Sequence, residues 1–543
     1  MHMLLLPFIP RYILLTAAFA GVLAFAYLAT AFPQWQILNA CLFILCLGLA
    51  VLGMRDLMQT RHAILRNYPI TAHLRFLLEN IRPEMRQYFF EADKDGTPFP
   101  RDKRAIVYQR AKRELDKRPF GTQYDVYQNQ FEWLHHSLSP KPTATEPFRV
   151  MIGSGPSCKQ PYSASVFNIS AMSYGALSAN AIRALNRGAS LGGFAHDTGE
   201  GGISPHHREF GGDLIWEIGS GYFGCRTPDG KFDPDRFAAN AADPQVKMIE
   251  LKLSQGAKPG HGGVLPAAKV TPEIAEIRGV PLGTDCVSPA SHSTFSTPIE
   301  LILFIDRLRE LSGGKPTGFK LCVGHPWEIM AVCKAMLETG KTPDFIVIDG
   351  TEGGTGAAPL EFMDHVGMPL RDGLSFVHNA LIGCGLRERI KLGASGKITS
   401  AFDMARVMAL GADWCNAARG FMFAVGCIQA QTCHTGACPT GVATQDPMRQ
   451  RAIVLDDKSQ RVHNFHRNSL HALAELVAAA GLEHPSQLKP HHFLKRAGSD
   501  RVVTYAEQYE MLQTEQLLKN PDSAGRFREP WNLARAESFD RAV

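Results

Sequence analysis

From about residue 165 to residue 417, short apolar runs of strand length alternate with longer amphipathic stretches, and no other feature restricts the fold as tightly. Parallel neighbouring strands need a crossover long enough to hold a helix, so this alternation is the mark of β/α units. The candidate strands are Ser165–Ser170, Gly193–His196, Met248–Lys252, Val280–Thr284, Gly318–Val323, Asp344–Asp349, Arg389–Ala394 and Asp413–Ala417. Helical patterns such as Pro298–Leu311, Pro326–Thr339 and Ser400–Leu410 separate several of them. Eight units in a stretch of this length predict an α/β fold, the (β/α)8 TIM barrel, with a doubly wound sheet as runner-up.

Glycines and polar residues follow the strands: Ser170–Gly175, Asp197–Gly202, Gly256–Gly260, Asp349–Thr355 and Ser395–Lys397. Barrel enzymes build their sites from loops at the carboxyl ends of strands, with a phosphate site often after the last two. Here those loops are Ala394–Lys397 and Ala417–Gly420. Gly219-Ser220-Gly221-Tyr222-Phe223-Gly224 satisfies the dinucleotide fingerprint, but Cys225–Gly230 reads as a turn where a helix should begin. Without strand, glycines and helix in that order, no Rossmann unit is assigned.

No Asp, Glu, Lys or Arg occurs between Arg11 and Arg55. Tyr12–Phe32 and Ile37–Met54 are apolar runs divided by Pro33-Gln34-Trp35-Gln36. A helix needs about 20 such residues to cross a bilayer, so the pair predicts a transmembrane hairpin over residues 1–55. Arg11 before it, and Arg55, Arg61, Arg66 and Arg75 after it, place both ends in the cytoplasm by the positive-inside rule. The expected location is the inner (cytoplasmic) membrane, multi-pass, with the catalytic body in the cytoplasm. A cleaved signal peptide is the weaker reading, because a second apolar run follows at once. Residues 56–147 read as a charged helical linker (Ala72–Asn80, Pro83–Glu91, Arg101–Lys117) with no catalytic constellation. A formal net charge of +5 and the lack of a basic stripe interleaved with aromatics give no sign of a nucleic-acid partner.

Twelve cysteines are dilute in 543 residues. Those from Cys158 to Cys415 stand singly, mostly in apolar runs, and read as buried thiols. Cys427, Cys433 and Cys438 differ: three thiols within twelve residues, the last followed by proline. Iron–sulfur clusters are held by such thiolates, and three ligands suggest a three-iron cluster. Zinc with His434 as fourth ligand, or three free thiols, are the other readings, and spacing alone leaves cluster and zinc about even.

The stretch from Phe167 to Gln445 resembles the FMN-binding synthase domain of glutamate synthases. The resemblance rests on Ser170–Gly175 (SAMSYG), Thr198–Gly202 (TGEGG), Gln255–Gly260 (QGAKPG), Gly353–Ala357 (GGTGA) and Cys427–Gln445 (CIQAQTCHTGACPTGVATQ). It implies a barrel carrying FMN beside a 3Fe–4S cluster on Cys427, Cys433 and Cys438, and reduction of 2-iminoglutarate to L-glutamate. It further implies flavin contacts at Met172, Ser173, Thr198, Gln255, Asp349, Gly353, Gly354, Thr355, Gly396, Ala418 and Arg419. Lys320 matches a lysine at the N1/O2 edge of the flavin, Lys258 and Arg278 match residues near the 2-oxoglutarate carboxylates, and Glu200 matches the glutamate facing ammonia. Glu200, Lys258 and Lys320 are thus the expected catalytic set.

Full-length glutamate synthases begin with a glutaminase domain and carry a long carboxyl-terminal domain. Here the resemblance is flanked by the hairpin and linker and, after the barrel expected over 148–490, by a tail over 491–543. Ammonia is therefore expected free, from a partner, or replaced by another amine donor, with electrons from a protein such as ferredoxin. Another amine or 2-oxo acid as substrate, or a membrane-associated FMN/iron–sulfur relay, are the alternatives.

Overall fold

The computed structural model describes residues 9–80, 96–498 and 500–542. Eight strands close into a parallel barrel in chain order: β1 (Phe167–Ile169), β2 (His196–Asp197), β3 (Leu214–Ile218), β4 (Val246–Lys252), β5 (Thr317–Leu321), β6 (Phe345–Asp349), β7 (Lys391–Ser395) and β8 (Trp414–Ala417). The closing pair is β8 with β1, where Cys415, Asn416 and Ala417 face Phe167, Asn168 and Ile169. Closure excludes the doubly wound alternative. A strand such as Phe-Ile-Val-Ile-Asp is buried from Phe345 to Ile348 because helices cover the sheet outside and side chains fill it inside.

The helices start where their caps dictate. Thr297 and Glu300 form a reciprocal capping box ahead of Pro298–Leu311, and Ser400 and Asp403 do the same for Ala401–Ala409. Pro326–Thr339 has the expected limits. Arg101–Lys112 ends earlier than expected, because Arg113 takes a left-handed conformation (φ 60°) and closes the last turn. The expected helix Pro83–Glu91 lies outside the described residues.

Two of the eight expected strands differ from the structure. Val280–Thr284 is not a strand: Gly279 caps Pro272–Arg278 in the left-handed region, and Pro281 and Gly283 carry the chain through a turn. The third barrel strand is instead Leu214-Ile215-Trp216-Glu217-Ile218, whose fourth residue, Glu217, disguises an apolar run. The second is also displaced, since Gly193 caps a helix and only His196–Asp197 pairs. The fingerprint-like glycines follow β3 and open no helix, as expected.

Ahead of the barrel, α1 (Ile13–Ala31) and α2 (Gln36–Met58) pack together through a turn at Pro33–Trp35. Both are long and apolar enough to cross a membrane. Their far ends expose Leu23, Tyr27, Trp35 and Ile37, while Leu15, Ala18, Ala50 and Asp56 near the foot are buried. Among the described residues, a short helix (Ala63–Asn67), α3 (Thr71–Asn80) and α4 (Arg101–Lys112) lie between this pair and the barrel. After the barrel helices, Phe493–Arg496 pairs with Glu132–Leu134 and Val502–Thr504 in a small antiparallel sheet.

Candidate active site at the barrel mouth

Alternation along a barrel strand sends every second side chain inward, and four neighbouring strands send charges there. Lys320 on β5 pairs with Glu217 on β3 and, at 3.2 Å, with Glu250 on β4, all almost fully buried. Asp197, at the end of β2, completes a set of three carboxylates whose oxygens lie within 4.8 Å of one another. Burial pushes Glu250 well above the usual carboxyl range, and repulsion from Asp197 adds to it; burial raises Asp197 as well. Among the described residues the Lys320 ammonium is the cation seated in this cluster, so the lysine expected at the flavin edge stands in a buried ion-pair network.

One layer higher, Lys252 lies in register with Lys320 and its Nζ is 2.9 Å from Glu200. Ser288 Oγ donates to the other Glu200 oxygen at 3.2 Å. Burial raises the Glu200 carboxyl, yet Lys252 and these hydrogen bonds outweigh it and bring the group down to about 2. Glycine makes room for it. A Cβ on Gly219 would come 2.5 Å from Glu200 Oε2, and one on Gly263 would collide with Oε1. The same pocket is lined by Ser254, Gln255, His261 and Gly262. Lys258, buried nearby in the loop after β4, has its pKa lowered by burial and by Lys252.

Arg278 is brought to the loops after β1 and β2. Its Nη2 donates to Tyr174 O at 3.1 Å and Ser173 Oγ at 3.3 Å, and its guanidinium lies 5.3 Å from the Phe223 ring. Gly199 (φ 66°) lets its loop approach the Met172–Ser173 backbone, where a Cβ would stand 2.6 Å from Ser173 N. Thr198 Oγ1 accepts from Glu217 N at 3.1 Å, which fixes the end of β2 against β3.

On the opposite side, Asp349 at the end of β6 accepts from Gly256 N at 2.8 Å, tying the Gln255 loop to the Gly353 loop. Gly353 N bonds Gly350 O at 2.8 Å, and a Cβ on Gly354 would collide with Arg419. Arg419 Nη2 donates to Thr355 O at 2.9 Å. Neighbouring β7 and β8 set Gly396 (φ 152°) and Lys397 beside Ala418, which precedes Arg419–Val425. The expected flavin contacts thus sit in loops on the carboxyl side of β1, β2, β4, β6, β7 and β8.

Lys252, Glu217, Glu250 and Ser288 were not anticipated. The available signal was a charged residue at the inward position of an apolar strand: Glu217 in LIWEI, Glu250 and Lys252 two apart in IELK.

The cysteine loop leaves β8 through Arg419–Val425. Tyr108 Oη, on α4, donates to Cys427 O at 2.8 Å, and Lys269 Nζ donates to Cys433 O at 2.6 Å. Gln429 N points at Cys427 Sγ (3.4 Å), and Cys438 Sγ lies 3.5 Å from Thr440 Oγ1. All twelve cysteines are free, and the seven from Cys158 to Cys415 are buried. One zinc ion would hold its thiolates at about 2.3 Å, hence within about 4 Å of one another. The trio and His434 do not gather within 4.8 Å.

Residues 123–483 match the conserved region in glutamate synthase. The glutamate synthase large subunit-like protein YerD of Bacillus subtilis is 38% identical over 488 residues, covering 83% of this chain and 93% of that one. The archaeal-type glutamate synthase (NADPH) of Thermotoga neapolitana is 36% identical over 313 residues, and the archaeal glutamate synthase (NADPH) of Archaeoglobus fulgidus 35% over 314. Each of these two alignments covers 58% of this chain and 58% of the relative. The chain belongs to the glutamate synthase family, oxidoreductases acting on CH–NH2 donors.

Proposed function

We propose that the protein reductively aminates 2-oxoglutarate to L-glutamate, using FMN at the barrel mouth and a 3Fe–4S cluster on Cys427, Cys433 and Cys438. The observation that carries this reading is the charge arrangement at the mouth: Glu200 held as an anion in a glycine cradle beside Lys252, with Lys258 buried nearby.

The loops fit a flavin mononucleotide. Gly353, Gly354 and Gly396 leave backbone open where side chains would crowd it, and Arg419 and Lys397 supply cations next to the loops of β7 and β8. Such glycine loops suit a phosphate at the end of a barrel. When bound, the flavin supplies two-electron chemistry to the substrate carbon, and the cluster supplies the electrons to it. Three thiols with a backbone N–H aimed at one sulfur are a donor set of the right chemistry for iron.

The chain's own residues bind and orient. Lys258 and Arg278 are cations suited to the two carboxylates of a 2-oxo diacid, and charge-assisted hydrogen bonds there are strong and directional. Glu200 keeps its negative charge at neutral pH, so it attracts an ammonium ion and lines it up at the pocket. Lys320, fixed by Glu217 and Glu250, places a positive charge inside the mouth, where it favours a cofactor that gains negative charge on reduction. The hairpin is read as an anchor in the inner membrane with both ends cytoplasmic, and the electron donor as a protein such as ferredoxin.

The test is anaerobic reduction of the purified flavoprotein, followed by 2-oxoglutarate with ammonium, glutamine or methylamine. Flavin reoxidation with 2-oxoglutarate and ammonium is expected. Failure with every pair removes the synthase reading, and reoxidation with methylamine alone moves it to another amine.

A further inference from the structure

Residues that flank the apolar hairpin also hold the far limb of the cysteine loop. Arg11, just before α1, pairs with Asp446 at 3.3 Å. Asn67, nine residues after α2, donates to Arg449 O at 2.9 Å and Pro439 O at 3.4 Å. Arg449 reaches Tyr68 Oη at 2.8 Å while also donating to Ala437 O and Cys438 O. The far limb of the cysteine loop therefore sits at the hairpin's foot.

Next to that foot, α3 turns apolar residues outward. Leu74, Leu77 and Leu78, spaced i, i+3, i+4, are 61%, 56% and 48% exposed. The helix is pinned to α2, for Asp56 accepts from Ile70 N and sits 2.8 Å from His73 Nε2. In the chain around it Arg55 and Arg61 are exposed, and Arg66, half-buried, lies close to exposed Arg451. A short helix with an outward apolar face, pinned through Asp56 to a helix long and apolar enough to span a membrane, has the character of an interfacial helix.

We propose that the face carrying the cysteine loop rests on lipid headgroups, with α3 lying in the interface, leucines toward the acyl chains. The occupant is the bilayer because the leucine face is held at the foot of two helices long and apolar enough to cross a membrane, and exposed arginines (Arg55, Arg61) lie between that pair and α3 in the chain. It follows that the electron carrier meets the cysteines at the membrane surface. This inference rests on the anchor and cluster readings above, and on neither the substrate nor the amine.

The experiment uses the full-length protein in nanodiscs of phosphatidylglycerol and phosphatidylcholine, doped with a lipid whose headgroup chelates gadolinium, or lanthanum as control. The readout is electron paramagnetic relaxation of the oxidised cluster. Faster relaxation with gadolinium than with lanthanum is expected. Leu77→Glu should lose most of that enhancement while keeping disc incorporation and iron signal. Equal relaxation with both ions, or an unchanged Leu77→Glu variant, overturns the proposal. So does a leucine face that instead pairs two copies, seen as a dimer in discs that Leu77→Glu dissociates. An absent iron signal removes the inference through the cluster reading, and failure to enter discs removes it through the anchor reading, so the failures are told apart.

Discussion

The barrel mouth and the cysteine loop each gather functional groups, but they are held in different ways. At the mouth, Glu217, Glu250, Lys252 and Lys320 come from adjacent strands and fix one another, so the barrel that carries the site also supports it. The cysteine loop is held from two sides: residues ahead of the barrel (Tyr108 for Cys427, Tyr68 through Arg449 for Cys438, Arg11 for Asp446, Phe99 for Gln429) and loop residues of the barrel, Lys269 for Cys433 and Ser178 for Gly441. The mouth is rigid by construction. The loop's position depends in part on a segment that enters before the barrel and ties it to the hairpin.

If the loop exists to hold iron, its largest sensitivity is chemical. Cys433→Ser should abolish the iron signal in paramagnetic resonance, and the barrel should stay folded because Cys433 lies outside it. A full signal in the variant breaks the comparison, since the loop would then be a structural turn with three free thiols.

The mouth should respond in stability instead. Lys320→Met strips the cation from buried Glu217 and Glu250, and removing one partner of a buried pair costs about 3–5 kcal/mol. Glu250→Gln should cost much less, because burial and Asp197 already favour a protonated Glu250. Denaturant unfolding of the two variants checks this. Equal losses would mean that Glu250 is ionised and the network wrongly described.

Glu200 sharpens the same point through pH. Its folded carboxyl is lowered to about 2 from an ordinary 4.5, so its pairing stabilises the fold above the unfolded pKa. That contribution fades as pH falls from about 4.5 to 2, and at about 1.4 kcal/mol per pH unit it is worth up to about 3 kcal/mol. The stability gap between the protein and Glu200→Gln should therefore narrow across this window. A gap that is flat with pH would place the carboxylate out of reach of Lys252.

These predictions touch residues that differ in how visible they were. Strands such as Phe345–Asp349 were legible because apolar runs bounded by glycine leave little choice. Leu214–Ile218 was not, because the Glu217 that matters to the site also broke the pattern, while Val280–Thr284 looked apolar despite Pro281 and Gly283. Glu200, Lys258 and Lys320 stood out through matching motifs, whereas Lys252 and Glu250 needed the inward register of β4 to be known. The clamp on the cysteine loop was invisible, since Tyr108 and Cys427 are 319 residues apart and residues 56–147 carry no pattern beyond charged helices.

The glycines around Glu200 carry the mouth's geometry at the scale of one atom. Gly263→Ala needs no unusual backbone, yet its Cβ would strike Glu200 Oε1 and shift the carboxylate. A displacement of about 1 Å at a reacting centre can cost about a hundredfold, so kcat/KM for ammonium should fall by that order while stability changes little. An unaffected rate would mean that Glu200 does not face the amine.

The smallest effect belongs to the clamp, and it separates the two regions most cleanly. Tyr108→Phe removes one hydrogen bond, from Tyr108 Oη to Cys427 O, and leaves the ring packed against Phe423. Such a bond contributes about 1 kcal/mol, too little to unfold the barrel. Because the loop has no barrel strand behind it, the loss should appear locally, as faster amide exchange over residues 427–431 and faster iron release to a chelator. Amides of β3 and β4 should exchange as before. If exchange rose equally in both places, loop and barrel would open together, and the loop would depend on the barrel after all.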